Sequence, residues 1–277
     1  MSVGPEAAKL LTGWIRLGWE ERIRIQPSDN GHLRVTDPMS NAATVLDDLR
    51  AVAREDKAAF LPKFFQAFPG GYGQGDRFLG CVVPDQRKIA RRYRYLPRDE
   101  VKKLLRSAWH EARLTGMLIL VAQFERAHQR DEDDAEPLVD FYLENLTAAN
   151  NWDIVDATAH KILGPWLVRR RDRRDVLDGL IKHESVWFRR VAVIATLAFI
   201  REEDFDPTLD FARRLLDDPH ELIHKATGWM LREVGKRDVG LLRDFLGRNV
   251  ERMPRTMLRY AIEKLPPAER RRWLATT

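Results

Sequence analysis

Apolar residues return every third or fourth position along most of this chain, a period that predicts helices. From Ser40 onward the pattern predicts helices over 41–50, 60–68, 97–106, 112–127, 136–146 and 152–167. It continues with helices over 175–183, 187–200, 207–216, 222–236, 238–248 and 255–264. Their breaks are short and polar, at 131–134, at Asn150-Asn151 and at Asp217-Asp218-Pro219. The hardest break is Pro69-Gly70-Gly71-Tyr72-Gly73-Gln74-Gly75, where four glycines cannot be held cheaply in a regular element. No run in this part alternates with period two for long enough to build a sheet.

The first 38 residues differ. Glu21-Arg22-Ile23-Arg24-Ile25 alternates like a short strand, Pro27 to Gly31 reads as a turn, and Leu33 to Val35 can pair back. Met39 then opens the clean helical pattern. Two readings stand side by side: a small appended hairpin, or a poorly packed extension before a natural start at Met39. The division expected is therefore 1–38 as extension and 39–277 as one helical domain.

The helices recur. Arg190-Val-Ala-Val-Ile-Ala and Lys225-Ala-Thr-Gly-Trp-Met match in residue type at an offset of 35, and Trp187 follows Trp152 by 35. Arg113-Leu-Thr-Gly-Met-Leu lies 77 before Arg190, room for two repeats. Paired helices at this period predict an all-α chain of HEAT-like repeats, an alpha-solenoid. Small residues (Ala192, Ala195, Ala226, Gly228) would let neighbouring helices approach closely. The cation opening each second helix would line a concave, basic surface.

Composition narrows the class. A hydrophobic fraction of 44% excludes a mostly disordered chain. Lys+Arg number 47 and Asp+Glu 42, a net charge of +5 that permits a polyanionic partner without requiring one. The single cysteine, Cys81, excludes an intrachain disulfide or a cysteine zinc site. His220 and His224 have metal-ligand spacing but no zincin glutamate, and read as solvated residues near a helix start. No apolar run reaches the ~18 residues of a membrane span, and no signal peptide opens the chain, so a cytoplasmic setting is the default.

Candidate chemistry centres on Asn151-Trp152-Asp153-Ile154-Val155-Asp156. Trp152 and Asp156 are four apart and share one helix face. Asp153, in the first turn, is explained by the helix macrodipole, whereas Asp156 either pairs with a cation or faces a site. Trp187-Phe188-Arg189-Arg190 and Gly228-Trp229 read alone as core anchors. The glycine loop fits neither phosphate-binding fingerprint and follows a helix rather than a strand. Arg87, Lys88, Arg91, Arg92 and Arg94 cluster with two tyrosines, and Arg169, Arg170, Arg171, Arg173 and Arg174 form a second basic run. Duplex phosphates are the obvious partner for such runs.

Four motifs together give the chain a likeness. They are Gly73-Gln-Gly-Asp-Arg-Phe-Leu-Gly80 leading to Val83-Pro84-Asp-Gln-Arg87-Lys88, then Asn151-Trp152-Asp-Ile-Val-Asp156, Trp187-Phe-Arg-Arg190, and Lys225-Ala-Thr-Gly-Trp229-Met-Leu-Arg-Glu233. In order and spacing the chain resembles, from about Asn41 to about Lys264, the AlkD-like DNA alkylation repair enzymes, a family of HEAT-like-repeat DNA glycosylases. The resemblance implies a monofunctional alkylpurine DNA glycosylase acting on N3-methyladenine and N7-methylguanine in duplex DNA, without a base-flipping pocket, metal or other cofactor. It implies Asp156 as the catalytic aspartate, Trp152 and Trp229 flanking the sugar, and Arg190 near the lesion's backbone. Phosphate contacts are expected from Arg87, Lys88, Arg169, Arg170, Arg171, Arg189 and Lys225. Asn151 stands where the family carries a tryptophan. The family's tyrosine on an early helix has no fixed counterpart here; Phe64, Phe65 and Phe68 are the candidates. The chain is expected to work as a monomer. Two other uses of such a stack remain: a non-catalytic binder of DNA structures and a protein-binding scaffold.

Overall fold

A computed structural model describes residues 24–27, 33–36, 40–130 and 132–276 of the chain. Strand β1 (Arg24–Pro27) pairs antiparallel with β2 (Leu33–Thr36), Ile25 opposite Val35. The turn expected between them and the proposed start at Met39 lie outside the described residues, as does most of the 1–38 segment.

Everything described from residue 40 onward is helix and connection. The helices are α1 (Ala42–Ala51), α2 (Glu55–Phe64), α3 (Val83–Arg92), α4 (Arg98–Leu105), α5 (His110–His128), α6 (Glu132–Glu144), α7 (Trp152–Thr158) and α8 (Leu163–Arg169). They continue as α9 (Asp175–Ile181), α10 (Val186–Arg201), α11 (Asp206–Arg214), α12 (Glu221–Gly235), α13 (Val239–Asn249), α14 (Arg255–Ala261) and α15 (Pro267–Ala275).

Elements pack mainly on near neighbours in the chain. The long α5 meets α3, α4, α6 and α7; α10 meets α7, α8, α9, α11 and α12; α12 meets α11, α13 and α14. Arg113 is the fourth residue of its long helix and Arg190 and Lys225 the fifth of theirs, so the cations aligned in the sequence stand at nearly the same place in each. Close approach depends on the small residues. A Cβ at Gly228 would lie 2.4 Å from the Met257 carbonyl oxygen, so α12 can rest on α14 only without one. One apolar core runs from α1 to α12, and a second lies under α11 to α15. No helix among the described residues is long and apolar enough to cross a membrane.

The chain departs from the expected elements in five places. The single helix expected over 152–167 is two, α7 and α8, because Pro165 denies a continuous helix its hydrogen bond to residue 161. The helix expected over 60–68 is α2, ending at Phe64. Helices α3 and α15 were hidden by their charge, since few apolar residues mark their buried faces. The polar break expected at 131–134 gives way to α6, which begins at Glu132.

Candidate functional site

Asn151 caps α7, its side chain accepting from the Trp152 backbone N–H at 2.9 Å. The cap fixes where α7 begins and so which way Trp152 and Asp156 project. Asp156 meets Arg190 from α10 through both carboxylate oxygens. Arg190 Nε donates to Oδ1 at 2.9 Å and Nη2 to Oδ2 at 2.8 Å. The pair is asymmetric in exposure: the Arg190 side chain is 6% exposed and that of Asp156 20%. The carboxylate thus retains an open side. Burial raises the Asp156 pKa above the ordinary carboxylate value, the Arg190 charge and hydrogen bonds pull it back, and the charge of Asp153 adds to the rise. Arg190 also donates Nη1–H to the Leu222 carbonyl, tying α10 to the first turn of α12. Its fork is occupied by Asp156 and α12 rather than free for a phosphate.

Trp152 is half-buried among aromatics. Phe65 lies 5.4 Å and Phe64 5.9 Å from it, ring centroid to centroid. Phe64 is 48% exposed, with Phe60 and Phe68 comparably open on the same segment. Among the three candidate phenylalanines, Phe64 and Phe65 are the two that reach Trp152. Trp229 is half-buried on α12, two turns beyond Leu222, and its indole N–H donates to Glu233 at 3.1 Å. Tyr72 from the glycine loop meets Trp187 edge to face at 5.9 Å. A cleft of about 350 Å³ opens between this loop and the start of α12, lined by Gln66, Tyr72, His220, Leu222 and Lys225 among others.

The loop is a strap rather than a phosphate cradle. At Gly73 a Cβ would stand 2.2 Å from the Phe65 carbonyl oxygen and 3.1 Å from Asn151 Nδ2, so glycine is required where the strap crosses the capping residue. Its far end is fixed by buried Glu111, whose carboxylate accepts from the backbone N–H groups of Leu79, Gly80 and Cys81. In between, Asp76 accepts from Arg113 at 2.6 Å, from Asn150 at 3.0 Å and from His110 at 2.9 Å. Burial raises the Asp76 pKa, but these three partners outweigh it and leave it lowered. His110 touches Asp153 through its other ring nitrogen, also at 2.9 Å. Burial alone would lower the His110 pKa; hydrogen bonds to Asp153 and Asp76 reverse this and push it up to about 9.

The remaining expected residues are distributed unevenly. Arg189 is spent on Asp218 and on the carbonyls of His183 and Glu184, linking α10 to the turn before α12. Lys225 pairs with Glu221 at 3.2 Å on the cleft rim. Arg87 and Lys88 stand exposed on α3, Lys88 paired with Asp85. The basic run after α8 is engaged within the chain, although Arg169 and Arg171 stay exposed. Arg169 donates to the His128 carbonyl, Arg170 and Arg173 reach Glu136, and Arg171 and Arg174 reach Asp204. Asp204 lies past the C-terminal end of α10, roughly 16 Å or more along the helix axis from Arg190. This run therefore braces α6, α8 and the end of α10, away from Asp156. His220 caps α12 by accepting from the Leu222 N–H, and His224 meets the Asp218 carbonyl. No group of three potential metal ligands occurs among the described residues.

Sequence reasoning gave no role to His110 or Glu111, held Asp76 only as part of the glycine-loop motif, and took Asp153 and Arg113 for a dipole residue and a repeat residue. Arg113 sitting in register with Arg190 was the available signal, since Arg190 has an acidic partner.

A protein-family model described as DNA alkylation repair enzyme matches residues 45–265. Among solved structures, the chain is similar to one described as a predicted DNA alkylation repair enzyme from Enterococcus faecalis. The two share 17% identity and a TM-score of 0.61, over 78% of this chain and 97% of that one. At such identity the likeness speaks for the fold alone. No curated protein matches the chain.

Proposed function

This chain belongs to the DNA alkylation repair enzyme family, and from that premise we propose that it is a monofunctional DNA glycosylase excising cationic alkylated purines such as N3-methyladenine and N7-methylguanine. The observation that carries the reading is the two-point Arg190–Asp156 pair, which leaves the carboxylate partly exposed on α7, one turn beyond Trp152.

The chemistry suits these residues. Alkylation at N3 or N7 makes the purine a positively charged leaving group, so the strong general acid of ordinary glycoside hydrolysis is not needed. As the N-glycosidic bond breaks, positive charge develops on the sugar and water must reach its C1′. Asp156 stabilises that charge at short range and orients the water. Trp152 and Trp229 offer the negative faces of their rings to the same cation. Arg190 keeps Asp156 ionised and aimed. No Schiff-base lysine takes part, so no strand cleavage follows excision.

In this reading the stacked helices form an alpha-solenoid of HEAT-like repeats, and the duplex lies along its basic, concave face as the substrate of a monomer. Support comes from the long helices α5, α10 and α12, each with a cation at its fourth or fifth residue, and from the packing of α10 on α12. Exposed Arg87 and Lys88 and half-buried Lys225 are the phosphate contacts this arrangement favours, with Arg171 more remote. Lesion choice rests on the weakened bond rather than on a pocket enclosing a flipped base.

Incubation of the protein with duplexes carrying N7-methylguanine or N3-methyladenine tests the reading, with Asp156→Asn beside it. Wild type is expected to release free base; the variant is expected to lose at least about a hundredfold in rate while binding the duplex normally. Duplex binding with no release by wild type would leave a DNA-structure binder. No binding would leave a protein scaffold.

A further inference from the structure

His110 is the first residue of α5 and is 2% exposed. Both its ring nitrogens face carboxylates, Nδ1 to Asp76 and Nε2 to Asp153, each at 2.9 Å. An ionised carboxylate only accepts, so a ring satisfied at both nitrogens carries two N–H groups and a positive charge. Asp76 is kept ionised by Arg113 and Asn150 as well. Asp153 is oriented by a further bond, its Oδ1 accepting from the Ile154 N–H at 2.9 Å. The ring centroid lies 4.8 Å from Phe65 and 4.9 Å from Phe78, and Phe65 leads directly to Trp152.

We infer that His110 is a positioning residue for excision: a fixed buried cation that anchors the first turn of α7 and offsets part of the charge that Asp153 imposes on Asp156. Asp153 and Asp156 stand one turn apart on α7, and the Asp153 charge opposes ionisation of Asp156. Remove the imidazolium and Asp153 becomes an uncompensated neighbour of the carboxylate that must stay charged.

Few groups enter this balance among the described residues. Asp156 is faced by Arg190 from α10 and by Asp153 on its own helix; His160, one turn further, meets it only through its backbone carbonyl. His110 is faced by Asp76 from the strap and Asp153 from α7, with Arg113 of its own helix acting through Asp76. The inference rests on Asp156 being the working carboxylate, so its test has a readout separate from excision.

The experiment follows the Asp156 carboxyl carbon by NMR titration in wild type, His110→Gln, Asp153→Asn and the double variant, with the acid limb of excision measured in parallel. Glutamine keeps a donor but no charge. His110→Gln is expected to move the Asp156 midpoint and the acid limb upward together, by roughly half a pH unit or more. Asp153→Asn should move both downward, and the double variant should return the His110→Gln midpoint toward wild type. A folded His110→Gln with an unmoved midpoint overturns the inference. Should His110→Gln fail to fold, Asp153→Asn and the double variant decide, and a double variant whose midpoint does not lie above that of Asp153→Asn overturns it equally. A midpoint that moves in a protein releasing no base would sink the glycosylase reading and leave the charge coupling standing.

Discussion

Two acid–base arrangements meet on α7, and their energetics run in opposite directions. Burial makes Asp156 harder to ionise than a free carboxylate, so its working state is one that the fold opposes and Arg190 defends. His110 is the reverse case, a cation that the folded chain favours. Its pKa is 6.5 as a free side chain and about 9 here, so its contribution to stability is fully present below pH 6.5 and disappears as pH rises through 9. The difference amounts to about 3 kcal/mol at most, at ~1.4 kcal/mol per unit. Thermal melts of the wild type should therefore lose Tm between these limits, and His110→Gln should show a lower but flatter profile across them. A wild-type Tm that holds level across this window would contradict the protonated ring.

At the scale of elements, the site is made by a segment with no regular structure. The strap from Phe65 to Cys81 touches the α7 cap, the His110 ring and Trp187, and it can do so because Gly73 lets it lie flat on Asn151. Gly73→Ala would press a methyl group into the Phe65 carbonyl, and backbone cannot step aside as a side chain would. A loss of about 2–3 kcal/mol in denaturant unfolding is expected, with changed fluorescence from Trp152 because its cap and its phenylalanine neighbours shift together.

The same strap marks the limit of what the sequence made legible. Helix α12 was readable because burial of one face is a periodic signal, and α5 and α10, buried on all sides over 110–121 and 190–200, as long apolar runs between polar breaks. So was the Trp152–Asp156 face, since a spacing of four has one meaning on a helix. The hairpin register of Ile25 against Val35 also follows from alternation. Asp76, His110 and Glu111 left no such trace. Their partners lie 30 to 74 residues away, and a buried polar network has no period. The arginines after α8 misled for the opposite reason: a run of like charge looks unpaired, but here Glu136 and Asp204 from other elements pair with four of the five.

Over the whole molecule, charge is divided between bracing and display. Arg189, Arg190 and the run from Arg169 to Arg174 hold helices to one another, whereas Arg87 and Lys88 project from α3 into solvent. Each phosphate contact should release a counterion, so replacing Arg87 and Lys88 by glutamine should reduce the slope of log affinity against log salt by about two units on a duplex. Replacing Arg169, Arg170 and Arg171 should instead lower Tm with little change in slope. Equal slopes in the Arg87/Lys88 variant and wild type would remove α3 from the interface.

The reach of the strap bears on how the chain matures during synthesis. Stacked helices dock on the neighbour just made, and such local closure is fast. The strap does not follow that order. When residue 128 has left the ribosome, Asp76 already has His110 and Arg113, but Asn150 and Asp153 do not yet exist, and Trp187 arrives 115 residues after Tyr72. Each long closure carries an entropic cost that earlier helices cannot share. An emerging chain would thus hold a stable N-terminal layer while its centre stayed open. Competence would come late and all at once, when α10 closes over a loop that has waited since the first third of translation.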